Sequence, residues 1–154
     1  MKLHRSTRAS TVDQDADAVW SVVAGADAGR HWYVDALPFV VRGALDRALG
    51  GEGRRWPVPG TDVLRAGDTA GFWRVTRSRA HSLELEADVR APGRVLMETE
   101  VVADGPARCT VRQSITFEPN GLAGQLYMLA DLPAREAVVE LAHRALLAEL
   151  GPAA

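Results

Sequence analysis

Alternating apolar and polar residues dominate the middle of the chain. After Ser82, the residues Leu83, Leu85, Ala87 and Val89 alternate strictly with acidic residues, and the same two-residue period recurs twice further on. The strand-like segments are residues 68–78, 82–89, 95–102 and 108–117. Short turns rich in glycine and proline join the later segments. The pattern predicts an antiparallel meander with one buried and one solvated face.

Weaker patterns precede the meander. Residues 2–11 alternate loosely and predict a first strand. Two helices follow, the first capped by Asp13 or Asp15 and the second by Asp35, because the apolar residues after these caps recur at helical spacing. The residues expected to share a face are Leu3, Arg5, Thr7 and Ala9 in the strand, Ala16, Val19, Trp20 and Val23 in the first helix, and Leu37, Val41, Ala44, Leu45 and Ala48 in the second.

Residues 120–150 have the pattern of an amphipathic helix that covers the sheet. Its expected apolar stripe after Pro133 consists of Val138, Leu141, Ala142 and Ala145, widened by Val139 and Leu146. An internal proline costs a helix about 3 kcal/mol, so we expect a kink or break near Leu132, with Asp131 capping the second piece. A strand, two helices, a meander and a final helix together predict an α+β fold.

Composition and charge narrow the range of functions. The 154 residues suffice for one folded domain, expected over residues 1–150 with a short tail at 151–154. A net charge of −2 argues against nucleic acid or an anionic membrane as a partner. The N-terminus lacks the apolar segment of a signal peptide, and no apolar run approaches the length of a membrane span. A cytoplasmic location is therefore expected.

Familiar catalytic and metal-binding motifs are missing from the sequence. The four histidines are not spaced as metal ligands, so neither a metal site nor a cofactor is expected. Cys109 lies in an apolar strand pattern, which favours an inert core thiol over a reactive one. The carboxylates of the meander are interpreted as a solvated outer face, with Asp88, next to a turn, as the exception. His31 is a candidate general base, with an ordinary loop histidine as the alternative.

The predicted inner face of the sheet carries residues that a fully packed core would not favour. Trp73, Met97, Thr99 and Gln113 lie on this face, and Tyr127 approaches it from the last helix. Further aromatic residues, Trp32, Tyr33 and Trp56, lie in the loops that border the sheet. A cavity that holds an apolar ligand would give the buried polar groups partners. A filled core with internal hydrogen bonds is the alternative.

Four segments resemble a family of unassigned function within the SRPBCC (START-like) superfamily, which has the helix-grip fold. They are HWYVDALPFVVRGALDRALGGEGRR, LRAGDTAGFWRV, APGRVLME and TFEPNGLAGQLYMLADLP, within residues 12–135. The chain departs from the family pattern at Gly71, Asp88, Met128 and the pair at 134–135. Members of this family are often fused to an NAD-binding epimerase-like domain. The 154 residues contain no such domain, so no nicotinamide cofactor is implied.

The resemblance implies an antiparallel sheet wrapped around a long C-terminal helix, with an apolar cavity between them. Residues 121–132 are expected to line the ligand end of this cavity, with any gate at Pro133, whereas the stripe beyond the proline only covers the core. The expected partner is a hydrophobic small molecule. A homodimer is an open alternative to a monomer.

The leading hypothesis is a polyketide cyclase- or aromatase-like enzyme, which would fold a hydrophobic metabolite and polarise one of its carbonyl groups. A non-catalytic binding or carrier protein is the alternative. The expected catalytic residues are Tyr33, Gln113 and Tyr127. The expected ligand-binding residues are Trp32, Trp56, Trp73, Met97 and Thr99.

Overall fold

The computed structural model describes residues 4–89 and 92–152, including the side chains of residues 5–89, 92–124 and 133–152. The elements in chain order are β1 (His4–Val12), α1 (Ala16–Val23), β2 (Gly25–Ala26), α2 (Trp32–Asp35), α3 (Leu37–Ala48), β3 (Thr61–Val63), β4 (Thr69–Ala70), β5 (Trp73–Arg79), β6 (Ser82–Ala87), β7 (Gly93–Gly105), β8 (Arg108–Pro119) and α4 (Gly121–Leu150). The first helix begins at the predicted cap, since the Asp15 carboxylate accepts the backbone N–H groups of Asp17 and Ala18.

An antiparallel sheet forms the body of the protein. Over the described residues it contains six strands in the order β1-β8-β7-β6-β5-β4, and β2 pairs with β3 separately. The long helix α4 packs on β8 and β1. The predicted α+β helix-grip fold, in which a C-terminal helix covers one face of a meander, is confirmed.

The register of β7 and β8 places the predicted inner residues opposite one another. Met97 lies across from Ile115, and Thr99 lies across from Gln113. All four side chains are buried. The two-residue period of the sequence therefore assigned the inner face of these strands correctly.

The predicted strand over residues 68–78 is divided in two. Gly71 interrupts it with a φ of +61°, a conformation that residues with a side chain rarely adopt. The backbone of Gly71 instead exchanges two hydrogen bonds with Trp56, with N–O distances of 3.0 and 2.7 Å. The glycine thus anchors the long loop after α3 to the edge of the sheet.

The first strand turns its polar face inwards, which the sequence pattern did not predict. Ser6 is buried, whereas Ala9 on the opposite face is exposed. Arg8 reaches α4, where its guanidinium donates to Glu140 at 2.7 Å and to Glu136 at 3.0 Å. The inward face is polar because α4 supplies charged partners along this edge of the sheet.

Helix α3 is rotated relative to the prediction. Its cap is Ala36 and not Asp35, and the predicted apolar stripe is wrong. All five members of that stripe are exposed, including the large side chains of Leu37, Val41 and Leu45. The buried residues are Phe39, Gly43 and Asp46, a face that a hydrophobicity pattern cannot recognise because two of the three are not apolar.

Helix α4 continues without interruption through Pro133, so the predicted break near Leu132 is wrong and Asp131 caps no second helix. The proline is exposed, and packing of the following turns on the sheet stabilises the helix beyond it. The buried apolar residues of this part are Val139, Ala142 and Leu146, all of them members of the predicted stripe, whereas Leu141 is exposed. Arg135 and His143 share this buried face.

Hydrogen bonds between polar side chains connect three strands of the sheet to α4. The four side chains are those of Ser10, Thr99, Gln113 and His143, and we name them the polar seam. Gln113 donates its amide to the Thr99 hydroxyl at 3.2 Å. Its amide oxygen lies 3.0 Å from Nδ1 of His143, which is therefore the donor. Nε2 of His143 is then an acceptor and receives the Ser10 hydroxyl at 2.8 Å. Each of the four side chains therefore has a hydrogen-bond partner within the polar seam when the imidazole of His143 is neutral.

Burial lowers the pKa of His143 from its ordinary value, because a charged imidazole would lose its solvation. The unfolded chain therefore takes up a proton as the pH falls through about 6.5, and the folded protein does not until the pH is lower. It follows that the free energy of unfolding decreases as the pH falls through this window.

We predict that His143→Asn, which keeps an N–H donor and removes the titrating group, gives a flatter dependence of stability on pH than the wild type. Urea unfolding between about pH 5.5 and pH 7.5 measures the slope for both proteins. The other titrating groups are common to both, so they cancel in the difference. Identical slopes would show that His143 takes up its proton equally in the folded and unfolded states.

Candidate functional site

A cavity of about 120 Å³ lies between α3, α4 and one end of the sheet, and we name it the α3–α4 cavity. The residues that line it are Pro38, Phe39 and Arg42 of α3, Arg135 and Val138 of α4, and Phe72, Trp73, Ala87, Val89, Val95 and Ile115 of the sheet and its loops. Apolar side chains form most of the wall. The cavity is partly open to solvent, so it can admit a molecule from outside.

An aromatic cluster forms the inner wall of this cavity. The ring centroids of Phe39 and Trp73 are 5.3 Å apart, and those of Phe72 and Trp73 are 4.9 Å apart. The indole Nε1 of Trp73 donates to the backbone oxygen of Tyr33 at 2.7 Å. Because the polar atom of the indole is satisfied elsewhere, the ring presents only apolar surface to the cavity.

Two arginines interrupt the apolar wall, Arg42 from α3 and Arg135 from α4. Arg135 is only 5% exposed. Its Nε donates to the hydroxyl of Ser6 at 3.0 Å, and its buried Nη1 has no hydrogen-bond partner among the described residues. No described carboxylate lies within 4.0 Å of this guanidinium. A buried cation with one neutral partner is costly, since burial removes its solvation.

Of the predicted site residues whose side chains the structure describes, it brings Trp73 alone to this cavity. Thr99 and Gln113 belong to the polar seam, where each is bonded to another side chain. Met97 is fully buried in the packed core beside them. Tyr127 falls in residues 125–132, outside the described side chains. The polar seam thus occupies the place that the sequence analysis gave to the cavity.

Tyr33 and Trp32 are buried next to α4, outside the lining of the cavity. The hydroxyl of Tyr33 donates to the backbone oxygen of Gly25 at 2.6 Å, and burial raises its pKa well above the ordinary value. Nε1 of Trp32 donates to the backbone oxygen of Val23 at 3.1 Å. Both polar groups therefore have internal partners.

The same region holds a buried histidine that the sequence offered as a general base. His31 is 5% exposed and stacks on Tyr33 with ring centroids 5.2 Å apart. Its Nδ1 lies 3.6 Å from the carboxylate of Glu149, which accepts the backbone N–H of Trp32 at 2.8 Å. Burial raises the pKa of Glu149. These contacts connect the end of α4 to α2, and His31 does not line the cavity.

Trp56 borders a different depression, an open groove of about 460 Å³. Its walls include Arg30, Asp35 and Arg54, and the guanidinium of Arg55 lies 4.0 Å from the Trp56 ring centroid. The groove is shallow and as polar as it is apolar, so it offers little to a hydrophobic ligand. The predicted ligand-binding tryptophans therefore lie at separate places on the molecule.

Sequence reasoning missed Phe39, Phe72, Arg42 and Arg135. The signal for Arg135 was present, because Arg135, Val139, Ala142 and Leu146 recur at i, i+4, i+7 and i+11 on one helical face. The expectation that α4 beyond Pro133 only covers the core is wrong, since Arg135 and Val138 line the cavity.

Cys109 is fully buried, and burial raises the pKa of its thiol, as expected for an inert core residue. Over the described residues, no group of three or more metal-ligating side chains is arranged to hold an ion. In the same part of the chain, no helix has the length and apolar character needed to cross a bilayer.

Residues 3–142 match the family described as "Protein of unknown function (DUF2867)". The chain belongs to this family. None of the curated proteins matches it in sequence. The family assignment therefore covers nearly the whole chain and supplies no activity.

Solved structures share the fold at low sequence identity. The di-domain aromatase/cyclase BexL of the BE-7585A biosynthetic pathway is 14% identical, with a TM-score of 0.53 over 97% of this chain and 48% of BexL. CalU16 of Micromonospora echinospora is 13% identical, with a TM-score of 0.52 over 94% and 79%. Truncated norcoclaurine synthase of Thalictrum flavum is 12% identical, with a TM-score of 0.51 over 94% and 91%. These likenesses show the helix-grip fold.

We predict that Arg135→Met raises the free energy of unfolding by about 1 kcal/mol or more, because the variant removes a buried charge that has no direct ion-pair partner among the described residues and keeps most of the side-chain volume. Urea or thermal unfolding measures the change. Arg144→Met on the same helix is the matched control, since the Arg144 side chain is 71% exposed, and its stability should stay close to that of the wild type. A clear loss of stability in Arg135→Met would show that the fold itself compensates the guanidinium.

Proposed function

We propose that the protein binds a hydrophobic small molecule in the α3–α4 cavity. The observation that carries this proposal is an unfilled, largely apolar space of about 120 Å³ bordered by Phe39, Phe72 and Trp73. Protein interiors are close-packed, so an apolar recess of this size leaves side-chain surface without packing partners. A ligand that enters it gives these side chains contacts and buries apolar surface.

The volume of the cavity limits how large a part of the ligand can be buried in it. An apolar cavity of about 150 Å³ in another protein holds benzene. The α3–α4 cavity therefore accommodates roughly one ring or a short branched chain, and the open side allows a larger molecule to extend outwards. The aromatic cluster favours a flat or aromatic group against Trp73.

The composition of the wall favours binding over catalysis. Among the described lining residues, the only ionisable groups are the guanidiniums of Arg42 and Arg135, and arginine does not exchange protons at neutral pH. No described carboxylate, imidazole or thiol lines the cavity. Such a wall supports a carrier or binding protein more directly than an acid–base enzyme.

Cyclase-like activity is the second candidate, and the two arginines are the observation that favours it. When a carbon of a poly-ketone attacks a carbonyl carbon of the same chain, negative charge develops on the carbonyl oxygen. A guanidinium on the cavity wall stabilises that charge. The proton lost by the attacking carbon is regained by the oxygen, so the ring closure needs no cofactor.

We predict that Val95→Phe weakens the binding of toluene by at least roughly tenfold, because the larger ring occupies the cavity that Val95 lines. The measurement is an NMR titration that follows the indole N–H of Trp73. Val102→Phe is the matched control, since Val102 lies on the same strand and is 47% exposed. Equal toluene affinity in both variants would place the binding site elsewhere.

We predict that Tyr33→Phe changes toluene affinity by less than roughly threefold, because the hydroxyl is bonded to Gly25 and not to the cavity. An assay of turnover separates the two candidate functions. A cyclase that relied on the two arginines would convert a linear seven-carbon triketone to its aromatic ring, with loss of one water, in the wild type and in Tyr33→Phe alike. A carrier would show no turnover with either protein.

A further inference from the structure

Arg135 has no direct ion-pair partner among the described residues. The guanidinium is almost fully buried, and its hydrogen bond among these residues is to the neutral hydroxyl of Ser6. Hydrogen bonds from Ser6 and Arg8 lower the pKa of Glu136, and the charge of Arg135 adds to this effect from beyond 4.0 Å. Arg135 is therefore held by Ser6, and its Nη1 has no acceptor among the described residues.

Arg135 is part of the cavity wall. It lines the α3–α4 cavity, and its Nη1 is buried with no acceptor among the described residues. The rest of the described wall, apart from Arg42, is aliphatic or aromatic and offers the guanidinium no acceptor side chain. A carboxylate that enters the cavity beside Arg135 compensates the charge of the guanidinium.

We infer that the ligand of this cavity is a small amphipathic carboxylate, an aromatic or short-chain acid whose carboxylate pairs with Arg135. This inference rests on the proposed function and specifies its ligand class. A carboxylate matches the planar fork of a guanidinium. The apolar part then lies against the aromatic cluster, and about one ring fits the volume.

Arg42 supports the same assignment. It reaches the cavity from α3, whereas Arg135 reaches it from α4, so two positive groups from different helices border one apolar space. Both raise the electrostatic potential of the cavity and favour an anion over a neutral molecule of the same shape. The hydrogen bond to Ser6 fixes the orientation of the Arg135 guanidinium before the ligand arrives.

The test compares benzoate with benzamide, which has the same shape and no charge, in calorimetric titrations of the wild type at neutral pH. We expect benzoate to bind roughly 10- to 100-fold more tightly, the range for a buried charge-assisted hydrogen bond. Arg135→Met should remove most of this preference while it retains benzamide binding, and Arg135→Lys should keep more of it than Arg135→Met does. Arg144→Met, which removes the same charge at an exposed site, should behave as the wild type.

The outcomes separate this inference from the proposed function. If benzamide and toluene bind and benzoate binds no more tightly than benzamide, the carboxylate assignment is wrong and the cavity takes neutral ligands. An unchanged benzoate preference in Arg135→Met, with benzamide binding as evidence of folding, also overturns it. If none of the three probes binds, the proposed function fails, and the inference fails with it.

Discussion

The structure depends on one constraint, the need of the sheet to bury its inner face under a helix that is not wholly apolar. Helix α4 carries Arg135 and His143 on the face that meets the sheet. A buried polar group is tolerated only where it finds a partner. The first strand meets this requirement by turning Ser6 and Ser10 inwards, where they contact Arg135 and His143.

The two polar residues of α4 meet the constraint in different ways, and the interior is divided accordingly. His143 is neutral and fully bonded within the polar seam, so that end of the interior is filled and closed. Arg135, whose guanidinium is charged like that of any arginine, has one neutral hydrogen-bond partner among the described residues, and it lines the cavity. The incomplete packing and the incomplete pairing coincide, which is what a binding site for a complementary molecule requires.

The family assignment gives no activity, and the fold by itself does not supply one. Structures with this fold include a biosynthetic aromatase/cyclase and norcoclaurine synthase, each below 25% identity to this chain. A fold shared at that level transfers no chemistry, because function depends on the residues of the site. Here those residues are an aromatic cluster and two arginines, which argue for recognition of an anionic apolar ligand.

The sequence by itself determined the meander, the inner faces of β6 to β8 and the covering helix, because a two-residue period and a hydrophobic stripe are local properties of the chain. Only the tertiary structure decided the rest. Asp46 is buried and Leu45 exposed on α3, since burial there depends on the glycine-rich loop that packs against the helix. The cavity likewise lies beside Arg135 and not beside Gln113. The amide oxygen of Gln113 accepts a hydrogen bond from His143, which is thirty residues away along the chain. Such pairings are set by neighbours distant in sequence, and no local pattern records them.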